Sequence, residues 1–159
     1  MALRMAAGAL AALVALSALS CRTTGAAAGT VPVAVDSGFA EVAAGEWVLA
    51  RMWTADGVVG IDGAARGDAF SLGFEGGLAV GTAMPNTFRS PFSLGADRSI
   101  TFGPMATTRM APMGLEEIDE HGFFEFLYNV FAWDLADGFL ELHTTDESGN
   151  VVVLVFAGR

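Results

Sequence analysis

The sequence predicts a mainly β fold of the α+β class: an antiparallel meander or barrel-like sheet with one helix near residues 115–130. Short apolar or alternating runs follow one another along the chain and are separated by glycine-containing turns, which is typical of antiparallel sheets. One segment departs from this pattern and spaces its apolar residues as a helix does. The chain beyond its first 20 residues has the length of a single domain.

The first 20 residues have the features of a leader peptide. They carry one charge at Arg4, an apolar run over residues 5–16, and small residues directly before Cys21. The apolar run is shorter than the roughly 20 residues that a transmembrane helix needs. The layout resembles a bacterial lipoprotein signal peptide (1–20) that is cut before Cys21. The alternatives are an ordinary secretory leader, with a cysteine there by chance, and a transmembrane anchor.

Cys21 is therefore the predicted lipidation site, and the membrane is the predicted partner that it contacts. Two or more acyl chains anchor a domain stably, because each buried methylene contributes about 0.8 kcal/mol. We expect residues 21–38 to form a flexible tether and residues 39–159 to form the domain, in the cell envelope and facing the periplasm. Arg22 follows the cysteine, and the resemblance to sorted lipoproteins favours the outer membrane in a host with two membranes. Cys21 is the only cysteine in the chain, so lipidation leaves no thiol for a disulfide, a zinc site or a nucleophile.

The charge balance argues against one large class of partner. The chain has a net charge of −10 and contains no lysine. A surface that is rich in carboxylates and lacks a basic cluster cannot replace the counterions of a phosphate backbone. We therefore expect no nucleic-acid partner.

The elements are predicted in chain order from local patterns. Strands are expected at residues 48–53, 69–74, 78–83, 88–94 and 99–102, each followed by turn residues. A helix is expected from Gly114 to about Val130. Within it Phe123, Phe126, Leu127 and Val130 form one apolar stripe, and the acidic residues Glu116, Glu117, Asp119 and Glu120 lie near its start, where the helix dipole favours them.

Three further strands are predicted after the helix. They are expected at residues 131–135, 139–144 and 151–156, with turns at 137–138 and 146–150. The last run is continuously apolar. We therefore expect it to be a central strand that is buried on both faces.

Residues 101–111 read TFGPMATTRMA, and this stretch resembles the META domain, the type found in HslJ lipoproteins. Residues 80–88 followed by Phe92 resemble the Gly-x-x-Gly-Cys-Asn-x-Phe segment of that family, residues 47–49 its opening Trp-x-Leu strand, and residues 137–142 its closing hairpin. The resemblance extends over about residues 45–156. It implies a non-enzymatic protein that serves envelope integrity or stress tolerance through an envelope protein partner that the sequence does not identify.

The chain departs from the family at two positions. Pro85 and Pro112 stand where the family commonly has cysteines. If those cysteines face each other in the family, their joint loss is coherent, because one remaining thiol is a liability in an oxidising compartment. The alternative is independent drift at two turn positions.

The family motif supplies the candidate binding residues Asn86, Thr107, Thr108, Arg109 and Met110. Hydroxyl groups beside a guanidinium can bind a carboxylate in a bidentate manner. The structural alternative is that the threonines cap a turn while Arg109 meets a carboxylate of the protein itself. Asn86 can likewise close an Asx turn instead of holding a ligand.

The remaining chemistry-bearing residues predict neither an enzyme nor a cofactor site. The only histidines, His121 and His143, do not have metal-ligand spacing with the nearby acids, and no nucleophile motif is present. We therefore expect no catalytic residue, metal or cofactor. The alternative function is a carrier that holds a small apolar ligand inside the barrel, lined by residues such as Phe70, Phe74 and Phe102.

Overall fold

Within the part of the chain that the structure describes, the fold is a curved antiparallel sheet of ten strands with two helices. The structure is a computed structural model that describes residues 37–61, 69–110 and 118–159. The elements, in chain order, are α1 (Ser37–Ala44), β1 (Trp47–Thr54), β2 (Gly57–Gly60), β3 (Phe70–Glu75), β4 (Leu78–Ala83), β5 (Asn86–Leu94), β6 (Ile100–Phe102), β7 (Ala106–Thr107), α2 (Glu120–Tyr128), β8 (Ala132–Ala136), β9 (Phe139–Thr145) and β10 (Val151–Gly158). The predicted fold class is confirmed. Cys21, the predicted leader and Pro112 lie outside the described residues.

The sheet is nearly closed into a barrel. Its strands run in the order β6-β5-β4-β3-β1-β10-β9-β8, while β2 pairs with β1 and β7 pairs with β5. The two ends of this series meet at a bridge between Ser99 and Ala132. There the amide of Trp133 donates to the carbonyl oxygen of Arg98 at 2.9 Å. The meeting of first and last strands leaves little exposed edge on the main sheet.

Strand β1 contacts three other strands because it changes partner along its length. Trp47 and Val48 pair with β3, residues 51–54 pair with β2, and β10 runs along the opposite edge. A bulge between Leu49 and Arg51 inserts one extra residue, so that both Leu49 and Met52 point into the core. The short strands β2 and β7 were not predicted from the sequence.

Each helix fills one end of the barrel interior with a phenylalanine. Phe123 of α2 contacts Phe70 and Phe88, at the start of β3 and near the start of β5. Phe39 of α1 contacts Phe74 and Phe92, each four residues further along its strand. At about 3.3 Å per residue, the two sets lie roughly 13 Å apart along the strands. Both helical phenylalanines are buried.

Both helices differ from the sequence prediction. Helix α1 was not predicted, and it begins at Ser37, inside the segment expected to be tether. Helix α2 begins at Glu120 instead of near residue 115 because Asp119 caps it, with its carboxylate accepting from the amide of Gly122 at 2.8 Å. Glu116 and Glu117 lie outside the described residues. Among the described residues, neither helix is long and apolar enough to cross a membrane.

Strand β10 is central, as predicted, but its outer face is only partly covered. It lies between β1 and β9, with Val152, Leu154 and Phe156 buried in the core. On the outer face, Val155 is buried, while Val151 is 55% exposed and Val153 is partly exposed. The prediction that β10 is buried on both faces is therefore wrong at Val151 and Val153, although it holds at Val155.

Candidate functional site

The segment after β6, which carries most of the family motif, is held against β5 by hydrogen bonds. The amide of Gly103 donates to the carbonyl oxygen of Pro91 at 2.7 Å, and the hydroxyl of Ser90 donates to the carbonyl oxygen of Gly103 at 2.9 Å. A Cβ atom on Gly103 would lie 2.7 Å from Pro91 Cγ. Glycine is therefore required here by the close approach of the two segments. Strand β7 continues the pairing along Phe88 and Arg89.

Asn86 is the centre of a hydrogen-bond network that joins three segments. Its side-chain oxygen accepts from the hydroxyl of Thr108 and from the amide of Met110, both at 2.8 Å. Its Nδ2 donates to Glu120 Oε2 at 2.9 Å and to the carbonyl oxygen of Met110 at 3.4 Å. Asn86 is buried, so these bonds satisfy an amide that would otherwise destabilise the fold. The network fixes the motif segment and the start of α2 against β5.

The structure thus brings three of the five candidate binding residues together and leaves two apart. Asn86, Thr108 and Met110 contact one another, and Asn86 makes long-range bonds in place of the Asx turn considered above. Thr107 and Arg109 are exposed, and Arg109 has no ion pair with any residue that the structure describes. A ligand-binding role of this motif stays a prediction.

An open groove of about 430 Å³ lies beside the motif and along α2. It is lined by Met105, Thr107, Asp119, Glu120, His121, Phe124 and Tyr128. The Tyr128 hydroxyl accepts from the amide of Met105 at 3.0 Å, and Glu120 is bound to Asn86. His121 is largely exposed, and its Nε2 lies 3.3 Å from Glu125 Oε1. The groove is acidic at one end and aromatic at the other.

The barrel interior is occupied at two of the three positions proposed for a carrier lumen. Phe70 contacts Phe123 at a ring-centre distance of 4.8 Å, and Phe74 contacts Phe39 at 5.0 Å. Phe102 is also buried. A ligand of the proposed kind would therefore have to displace a helical phenylalanine. The carrier function stays a prediction, and these contacts give it no support.

The β9–β10 turn has the structure that its sequence predicted. The Asp146 carboxylate accepts from the amides of Ser148 and Asn150 at 2.9 and 2.8 Å, and from Asn150 Nδ2 at 3.0 Å. These bonds, led by the one from the Asn150 side chain, hold the pKa of Asp146 below its usual value. The residues form a hairpin turn, and their hydrogen bonds are internal to it.

Sequence reasoning missed an apolar row on the outer face of the sheet. Strand pairing aligns five outward side chains from five strands, which we call the outer row: Val58, Trp53, Val153, His143 and Ala132. Val58 is 68% exposed and Trp53 is 41% exposed. Phe131, 46% exposed, lies beside His143 with ring centres 6.3 Å apart. The continuous apolar run of β10 was the only signal of this surface in the sequence.

A second row beside the outer row contains an unpaired cation. Arg51, Val155 and Glu141 are aligned on β1, β10 and β9. The Arg51 guanidinium carbon lies 4.8 Å from the ring centre of Phe139 and 5.8 Å from that of Trp53. Its Nε is buried without a hydrogen-bond partner, and no described carboxylate forms an ion pair with it. The guanidinium therefore lies within cation–π distance of two aromatic rings.

Comparison with known proteins identifies similar chains. A family model described as META domain matches residues 40–157. The NMR structure of a protein from Burkholderia xenovorans is 20% identical, with a TM-score of 0.57 over 76% of this chain and 85% of that one. The crystal structure of a DUF4847 family protein from Bacteroides vulgatus is 15% identical, with a TM-score of 0.49 over 73% of this chain and 93% of that one. No curated protein matches the chain.

Proposed function

The chain belongs to the META-domain family, and from that premise we propose that it is a lipid-anchored, non-enzymatic protein of the cell envelope. In this proposal it supports envelope integrity or stress tolerance by contacting protein through the outer row. The lipid at Cys21 holds the domain at the membrane, and in a host with two membranes the residue after it favours the outer one.

The observation that carries the proposal is the outer row itself. Apolar side chains are exposed together on the outer face of the sheet, and patches of this kind commonly mark sites of protein contact. Tryptophan and arginine, which lie adjacent at Trp53 and Arg51, are also the residue types that contribute most to binding energy at interfaces. The motif residues around Asn86, by contrast, bond to one another.

The anchoring half of the proposal is tested at Cys21. The Cys21→Ala variant and the wild-type chain are expressed in the native host with a labelled fatty acid. The wild-type protein is expected to carry label and to sediment with membranes, and the variant is expected to carry none. Label on the variant, or an unlabelled wild-type chain, would contradict lipidation at this residue.

The interaction half is tested by complementation under envelope stress. A strain that lacks the protein is challenged with detergent or heat and complemented with the wild-type chain, Val58→Asp or Thr101→Asp. Both substitutions place a carboxylate at an exposed strand position, but only Val58 lies in the outer row. We expect Val58→Asp to fail and Thr101→Asp to succeed at equal protein levels. Full rescue by Val58→Asp would contradict a role for the outer row.

A further inference from the structure

We propose that the outer face of β1, β10 and β9 binds a second copy of this chain, as a two-fold symmetric dimer. The inference rests on the proposed interaction role of the outer row and names its occupant. It starts from β10, whose continuous apolar run is typical of a strand covered on both faces. In the single chain Val151 is largely exposed and Val153 partly exposed on that outer face, so an apolar cover is missing there.

The arrangement of charge on this face favours a second copy as that cover. Arg51 and Glu141 are in register on either side of Val155. Neighbouring strands are about 4.8 Å apart, so the backbone positions of the two residues lie at equal distances from β10, and their side chains have opposite charges. A two-fold axis that runs along β10 between two facing sheets places Arg51 of one copy opposite Glu141 of the other. The contact is formed twice, as an isologous interface requires.

The apolar residues obey the same symmetry. Trp53 and His143 flank Val153 in the outer row, so the axis places Trp53 of one copy opposite His143 of the other and brings the two Val153 side chains together. Two sheets that face each other pack about 10 Å apart with strands inclined by about 30°, which keeps residues near the axis in contact. The cation that has no carboxylate partner within the described chain thereby gains one from the second copy.

The decisive experiment cross-links the position nearest the axis. Val153→Cys is introduced into the full-length chain, and isolated membranes are treated with copper phenanthroline. We expect a reducible band at twice the monomer mass. Thr101→Cys, on exposed strand β6, and the wild-type chain, with Cys21 alone, are expected to give none. Val151→Cys, also outward on β10, serves as a second probe if Val153→Cys does not accumulate.

The charge pairing is tested by reversal in the cross-linking variant. Arg51→Glu or Glu141→Arg alone is expected to lower the cross-linked fraction about fivefold, because each breaks both symmetric pairs, and the double reversal is expected to restore it. Monomers only, or cross-links only to a chain of different mass, would overturn the dimer. Failure of the dimer while Val58→Asp still abolishes complementation would leave the proposed function standing. A cross-linked dimer together with full complementation by Val58→Asp would support the dimer and contradict the proposed function.

Discussion

The two ends of the barrel interior are filled in the same way but held by different forces. At each end a helix inserts one buried phenylalanine among aromatic residues of β3 and β5. Helix α2 is also tied by polar contacts: the Asp119 cap, the bond from Asn86 to Glu120, and the Thr144 hydroxyl that donates to the carbonyl oxygen of Phe126 at 2.6 Å. Helix α1 is joined to β1 by a side-chain hydrogen bond, in which Trp47 Nε1 donates to the carbonyl oxygen of Val42 at 2.8 Å.

This difference shows how one fold combines two kinds of stabilisation. Apolar packing is strong but does not specify direction, so α1 is positioned mainly by the shape of the cavity that it fills. The polar contacts of α2 are weaker individually, but they fix the helix relative to the motif segment and to β9. We expect α1 to open locally and α2 to open only with the whole domain.

The largest expected effect comes from emptying the α2 end. Phe123→Ala removes a fully buried ring and is expected to lower the free energy of unfolding by about 3–5 kcal/mol, because the tethered helix cannot collapse into the cavity. Chemical denaturation measures this value. Phe131→Ala, at a half-exposed ring, is the control and is expected to cost under about 1 kcal/mol. Equal losses for the two variants would contradict the proposed packing.

The second test removes the hydrogen bond that joins β5 to the start of α2. Asn86→Ala removes the acceptor of the Met110 amide and of the Thr108 hydroxyl, which keeps only the bond from the Thr87 amide, and the donor to the Glu120 carboxylate. It is expected to cost about 2–3 kcal/mol. Hydrogen exchange should quicken at β7 and at the start of α2, with α1 unchanged. Faster exchange in α1 alone would show that the two ends are not independently held.

The third test weakens the hydrogen bond that joins β1 to α1. Trp47→Phe removes the indole N–H that donates to the carbonyl oxygen of Val42, together with part of a buried ring. It is expected to cost more than about 1 kcal/mol, with faster amide exchange confined to α1. Trp53→Phe changes an exposed indole in the same strand and serves as the control, with no expected effect on α1. If Trp47→Phe loosened α2 equally, the distinction between the two ends would fail.

The smallest expected effect is pH-dependent and lies beside α2. Asp146, in the turn that borders α2 near Glu125, has a pKa below its ordinary value in the folded state. Its contribution is therefore present above the unfolded pKa of about 3.8 and is lost as the pH falls through the lower folded value. The difference in melting temperature between the wild-type chain and Asp146→Ala should shrink on acidification. A difference that stays constant to pH 2 would contradict this assignment.

The sequence predicted the elements whose signals are local. Strands β9 and β10 follow the turns at 137–138 and 146–150, and their ends were predicted to within two residues. Helix α1 has no comparable signal, because its eight residues depend on Phe39 packing against aromatic residues far along the chain. The start of α2 was misplaced because an acidic run satisfies the helix dipole at several positions, whereas one side chain, Asp119, makes the cap.

The contacts of the candidate binding residues could not be predicted from the sequence, and their binding role stays a prediction. The motif named Asn86, Thr108 and Met110 among five possible binding residues, and the structure joins these three by hydrogen bonds. Their hydrogen bonds to one another depend on how β5 and the motif segment meet, which no local pattern encodes. The outer row was missed for the same reason, because its five members come from five strands and become neighbours only through strand register.

Asn86 also bears on how long the folded domain persists. Its amide joins residues that lie 22, 24 and 34 positions further along the chain, so large loops must close before these bonds can form. Contacts that form after the rate-limiting step of folding slow unfolding without speeding assembly. We expect the hydrogen bonds of this amide to form after that step, so that they lengthen the lifetime of the closed barrel and leave its folding rate unchanged.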